Sequence, residues 1–149
     1  MDMNSNECGN QGDVYEAGAV WCETKNKLEM AVKVLESGIN KYPDTITLKT
    51  KLLEVFRAQK DYPGIVYLTK QLAVLIPDNT ALFLIGADAA TNCHELELAR
   101  EWCIKVIESD NVNFAEKGLK LGTRLIAEID LQAKIYGQTD IVICGIQVS

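Results

Sequence analysis

Residues 43–78 read PDTITLKTKLLEVFRAQKDYPGIVYLTKQLAVLIPD, and the Pro-Asp step that opens this stretch closes it again: Pro43-Asp44 recurs as Pro77-Asp78, a period of 34 residues. The same step links Ala31, Ile65 and Ala99; Leu28, Tyr62 and Leu96; Ile39, Ala73 and Ile107; and Leu35, Thr69 and Cys103. Apolar character survives in nearly every register. Self-similarity at such a period is the signature of a stacked repeat, in which each unit is one supersecondary element that cannot bury its apolar face alone.

Within a period the apolar residues recur on helical spacing. Val14, Tyr15, Gly18, Ala19 and Cys22 share one helix face, and Leu28, Ala31, Val32, Leu35 and Ile39 share the next. Each period therefore predicts two helices. The short breaks fall at Lys25-Asn26-Lys27, Gln59-Lys60-Asp61 and Asn92-Cys93-His94. The longer breaks fall at the Pro-Asp steps, where proline cannot continue a helix and Asp44 or Asp78 can accept orphan N–H groups of the next one. Pro63 fits because it falls in the first turn of a helix.

In this pattern the chain resembles the tetratricopeptide repeat, whose motif is Trp-x2-Leu-Gly-x2-Tyr, then Ala-x3-Phe, then Pro. The corresponding places hold Tyr15, Gly18, Ala19, Cys22, Ala31, Leu35 and Pro43 in the first unit. They hold Lys49, Leu52, Leu53, Phe56, Ile65, Thr69 and Pro77 in the second, and Phe83, Gly86, Ala87, Ala90, Ala99, Cys103 and Asn111 in the third. The pairs Ala19 with Ala31 and Ala87 with Ala99 are short enough for close helix approach. Leu53 and Ile65 are not, so the middle unit is expected to be splayed or packed differently. The resemblance implies an all-α superhelix of antiparallel helix pairs.

Residues 113–134, with Phe114, Leu121, Leu125, Ile126 and Ile129, read as a closing amphipathic helix starting after Asn111 or Asn113, as an open stack requires. The expected organisation is a polar, disordered segment over 1–11, a helical-repeat domain over 12–134 and an apolar tail over 135–149. From Asp140 onward the tail turns β-branched, and two readings stay open: a tail packed against the stack or partly ordered, or else an edge strand or a segment that docks onto a partner or a second copy.

Composition narrows the partners. With 48% hydrophobic and 24% charged residues the chain should fold, and a net charge of −6 disfavours nucleic acid and anionic lipid. The opening MDMNSNECGNQGD has neither the basic residues nor the apolar run of a secretory signal, and no stretch is long enough to span a membrane, so a cytoplasmic setting is expected. Five cysteines at irregular spacing, with no CxxC, read as reduced thiols.

Catalytic chemistry finds little footing. The lone histidine, His94, follows Cys93 in a short break; a thiolate-base pair is conceivable, but a surface turn explains both more simply. Zinc would need clustered Cys and His ligands that this spacing does not give, and Gly9-Asn10-Gln11-Gly12 has no Lys-Ser/Thr behind it to make a phosphate loop. The expectation is a protein that is not an enzyme, with no cofactor and no metal.

The resemblance implies that the first helix of each unit lines a concave groove for an extended peptide or a partner helix. Positions one turn from the packing residues are Glu16, Val20 and Glu23; Thr50, Glu54 and Arg57; and Leu84, Asp88 and Thr91. Four carboxylates against one guanidinium, with Val20 and Leu84 as apolar footing, call for a basic, partly apolar segment. The branch of the family that clamps acidic chaperone tails uses Lys, Arg and Asn there, so no such tail is expected to bind. An adaptor or chaperone follows, similar in architecture to the small chaperones that cradle translocators of type III secretion systems. The alternative is a structural scaffold or self-associating subunit that uses its convex face or the tail.

Overall fold

The computed structural model describes the backbone from residue 12 to 148 and side chains from 12 to 135. Residues 1–11, expected to be disordered, and the side chains of the 136–149 segment, with Cys8 and Cys144, lie outside the described residues. Seven helices make up the described chain, with no strand: α1 Asp13–Thr24, α2 Leu28–Lys41, α3 Ile46–Gln59, α4 Tyr62–Leu75, α5 Thr80–Asn92, α6 Leu96–Ile107 and α7 Val112–Val148. The fold is all-α and repeat-like, with sequence neighbours packed on one another. The helices gather into two compact units that meet in sequence between Asn79 and Thr80, just past the second Pro-Asp step.

The turn inside each helix pair shows the period most directly. Among the described residues, positive φ occurs at Asn26 (57°), Lys60 (56°) and His94 (61°), 34 residues apart, and none of the three is a glycine. Around each, the next residue's N–H reaches back to close the helix end: Lys27 N to Cys22 O at 2.7 Å, Asp61 N to Phe56 O at 2.9 Å and Glu95 N to Ala90 O at 2.9 Å. This is the Schellman arrangement, which satisfies carbonyls that the helix itself leaves open. The sequence marks these breaks by turn residues, and the backbone uses one left-handed residue in each.

The first unit holds α1 to α4. Ala19 and Ala31 are fully buried where α1 meets α2, with Cys22 and Leu35 beside them. The approach tightens at Gly38, where an added Cβ would stand 2.7 Å from the Tyr15 ring. In the α3–α4 pair Leu53 and Ile65 stand where the other pairs have alanines, and both are buried. Two residues there break the apolar pattern yet are buried: Lys49, and Thr69, whose hydroxyl donates to Ile65 O at 2.7 Å. Pro63 sits at the start of α4 as expected, with Asp61 accepting from Gly64 N at 3.2 Å. Asp44 does not cap α3: the cap position is Thr45, and no side chain bonds the helix start there.

The second unit holds α5 to α7. Ala87 and Ala99 are fully buried, Phe83 and Trp102 stack at 6.5 Å in tilted geometry, and Val106, Leu121 and Leu125 complete the core. Asn111 caps α7, its Oδ1 accepting from Asn113 N at 2.9 Å and Phe114 N at 3.3 Å. The closing helix expected over 113–134 does not stop there but runs on to Val148, so the segment after Asp140 is helical and not an edge strand. Strand propensity is a weak local preference, and extending a formed helix fixes one residue per added hydrogen bond without a new nucleus.

Candidate protein-binding faces

The groove expected from sequence divides between the two units. In the first, α1 and α3 pack side by side, so Glu16, Val20 and Glu23 lie on one helix and Thr50, Glu54 and Arg57 on its neighbour. Val20, Thr50, Glu54 and Arg57 are exposed, while Glu16 and Glu23 are half-buried. The sequence reading passed over Lys51, which organises this face: its Nζ stands 3.1 Å from Glu23 and 3.2 Å from Glu54, tying α1 to α3. Burial lowers the Lys51 pKa, but the hydrogen bonds and charges of Glu23 and Glu54 outweigh it and hold the ammonium above its ordinary 10.5. The face is therefore less acidic than its carboxylates suggest. Glu16, with no ion pair among the described residues, carries the uncompensated charge, next to Val20 and the exposed Trp21, whose ring Lys27 approaches at 5.7 Å.

In the second unit the expected face is largely taken by the chain's own α7, which packs on α5 as well as α6. Asp88 accepts from Arg124 of α7 at 2.9 Å, and Leu84 is half-buried. Thr91 is only 3% exposed, and its hydroxyl donates to Ala87 O at 2.8 Å. It cannot meet a peptide as the sequence reading expected, because a hydroxyl satisfied by the preceding turn lets threonine sit inside a helix interface. No periodicity could have shown that Arg124, 36 residues on, would neutralise Asp88.

His94 belongs to the same region. Its left-handed backbone serves the turn, and its Nδ1 lies 3.7 Å from Glu128 Oε2 on α7. Cys103 lies buried on α6, its thiol donating to Gly118 O at 3.2 Å, and burial pushes its pKa above 9.0, the opposite of an activated thiolate. Outside this core, α6 and α7 leave an apolar groove of about 320 Å³ walled by Ile104, Ile107, Ile126 and Ile129, with Gly122 in its wall. Among the described residues no group of three or more His, Cys, Asp and Glu is placed to hold a metal, and no helix is long and apolar enough to cross a membrane.

No protein-family model matches the chain, and no curated protein matches it.

Proposed function

We propose that the chain is a protein-interaction module of the tetratricopeptide type, an adaptor or chaperone of the cytoplasm without catalytic activity, and that the α1–α3 face takes a short segment of its partner. The observation that carries this reading is the placement of Glu16, Val20, Glu23, Thr50, Glu54 and Arg57 on two adjacent helices, with Lys51 fixing their spacing. The repeated left-handed turn at 26, 60 and 94 supports the family resemblance.

The preferred segment pairs a basic residue with Glu16 and an apolar one with Val20, while Thr50 and Arg57 offer hydrogen bonds to its backbone. A second basic residue competes with Lys51 for Glu23 and Glu54. Since that pair is partly exposed, displacing it costs only about 1 kcal/mol or less. Binding is thus expected to be modest and salt-sensitive. Selection of short random peptides on the intact protein tests this. Basic-apolar sequences should be enriched, and the enrichment should vanish on a Glu16→Lys, Val20→Asp variant that keeps its helical circular dichroism. Enrichment of acidic peptides, or the same peptides on both proteins, would sink the proposal.

A further inference from the structure

Gly38, Gly64 and Gly118 lie in helices where an added Cβ would come within 2.7, 2.8 and 2.9 Å of a neighbouring atom, so something must shift to admit a side chain at any of them. Gly122, in the middle of α7, differs. A Cβ there would meet Cys103 Sγ at 3.5 Å and Ile107 Cδ1 at 3.7 Å, ordinary contacts that leave room for alanine. Glycine inside a helix costs about 1 kcal/mol relative to alanine, and nothing in the described chain requires it. It opens one wall of the groove between α6 and α7.

The residues around it have a second regularity. Ala115, Leu119, Gly122, Ile126, Ile129 and Ala133 follow the alternating three-and-four spacing of a helix-pairing seam. This seam runs beside the face that packs on α6, which is made by Gly118, Leu121 and Leu125, all buried. The seam itself is open: Leu119 is 56% exposed, Ile126 62% and Ile129 36%, and Ile104 across the groove is 46% exposed.

We propose that this seam pairs with its counterpart in a second copy of the chain, α7 against α7 and antiparallel about a twofold axis near residue 124. In that register Ile126 of each copy enters the groove over Gly122 of the other, Leu119 meets Ile129, and Ala115 meets Ala133. A large side chain faces glycine in the central layers, two large ones meet in the next, and the small alanines at the ends let the helices stay close. Charge selects the direction. Lys120, 3.4 Å from Glu116 in its own helix, comes between that carboxylate and Asp130 of the other copy, twice by symmetry. Asp130 has no ion pair among the described residues. A parallel pair would instead set Lys120 against Lys120, Asp130 against Asp130 and glycine against glycine. The polar N-terminal residues 1–11, with Met1, Met3 and Cys8 as their only apolar side chains, do not suit the groove.

Sedimentation of the intact protein over a wide concentration range tests the pairing. The expected species is a dimer of twice the 16.5 kDa chain mass. Gly122→Leu fills the groove and Ile126→Lys charges the seam at an exposed position; each should raise the dissociation constant at least about tenfold with helicity intact. Lys120→Asp should weaken the dimer, and adding Asp130→Lys should restore it, a rescue that a parallel pair would not give. A wild-type chain that stays monomeric, or a dimer indifferent to both Ile126→Lys and the charge swap, overturns the proposal. Should Gly122→Leu disturb the fold, Ile126→Lys decides by itself.

Discussion

Gly38 in the first unit and Gly122 in the second are both glycines inside a helix that face a neighbouring helix, yet only the first is required by the fold around it. At Gly38 the Tyr15 ring and a Leu48 methyl already stand where a side chain would go. At Gly122 the neighbouring atoms stand back at ordinary contact distance. Charge repeats the contrast, since Lys51 satisfies two carboxylates of the first unit from within, whereas the α7 seam presents aliphatic side chains to water. A surface whose charges pair internally asks little of a partner. One that leaves Leu119, Ile126 and Ile129 open, around a glycine that no described neighbour crowds, is where association gains most.

The sharpest way to break this comparison is to put the same methyl group at both glycines. Gly38→Ala should lose about 1–3 kcal/mol, because the Tyr15 ring must move to admit the new Cβ in a packed interface. Gly122→Ala should instead gain up to about 1 kcal/mol in the isolated chain through helix propensity. Urea unfolding at low protein concentration measures both. Equal effects at the two positions, in either direction, would remove the distinction on which the pairing argument stands.

The turns, where both units use the same solution, sharpen the comparison from the other side. A non-glycine residue in left-handed conformation costs about 1 kcal/mol, so Lys60→Gly should stabilise the protein by roughly that amount. Asn26→Gly should do less, since asparagine tolerates this conformation. His94→Gly should fall short of Lys60→Gly as well, because it removes the imidazole that faces Glu128. Thermal melts of the three variants give the ranking. A stabilising His94→Gly that matches Lys60→Gly would mean the Glu128 contact contributes nothing.

These turns also show how far the sequence could be read. The period was visible because Pro-Asp and the small residues repeat, and Ala19, Ala31, Ala87 and Ala99 are all fully buried as their places in the repeat imply. That the left-handed residue falls at 26, 60 and 94 was legible only as a cluster of turn formers, since no glycine marks it. The candidate faces were less legible for a physical reason. Helical periodicity says which residues share a face, but not which distant element covers that face. Asp88 pointed to a ligand until α7 brought Arg124 against it, and Thr91 did so although it lies buried. Lys51 escaped notice because a lysine one residue off the chosen positions looks like any solvated charge until two carboxylates are found beside its ammonium. The length of α7 escaped because the β-branched residues after Asp140 prefer strands by only a small margin.

Alkaline titration, the smallest expected effect, separates the two units once more. Lys51 and Cys103 both have folded pKa values raised, the first because its two carboxylates outweigh burial and the second by burial alone. In each case the folded chain holds its proton where the unfolded chain has released it, so stability falls as pH rises. For Cys103 the loss begins near 9.0, the ordinary thiol value, and for Lys51 only above 10.5. Cys103→Ala should therefore flatten the early part of the stability profile and leave the later part, while Lys51→Met should do the reverse, with about 1 kcal/mol or less at stake in the partly exposed ion pair. Unfolding free energies measured from neutral pH to pH 11 distinguish the two. A wild-type profile that is level until well above pH 10 would show that the Cys103 thiol ionises as readily in the core as in water, and that the interior between α6 and α7 is wetter than its buried side chains imply.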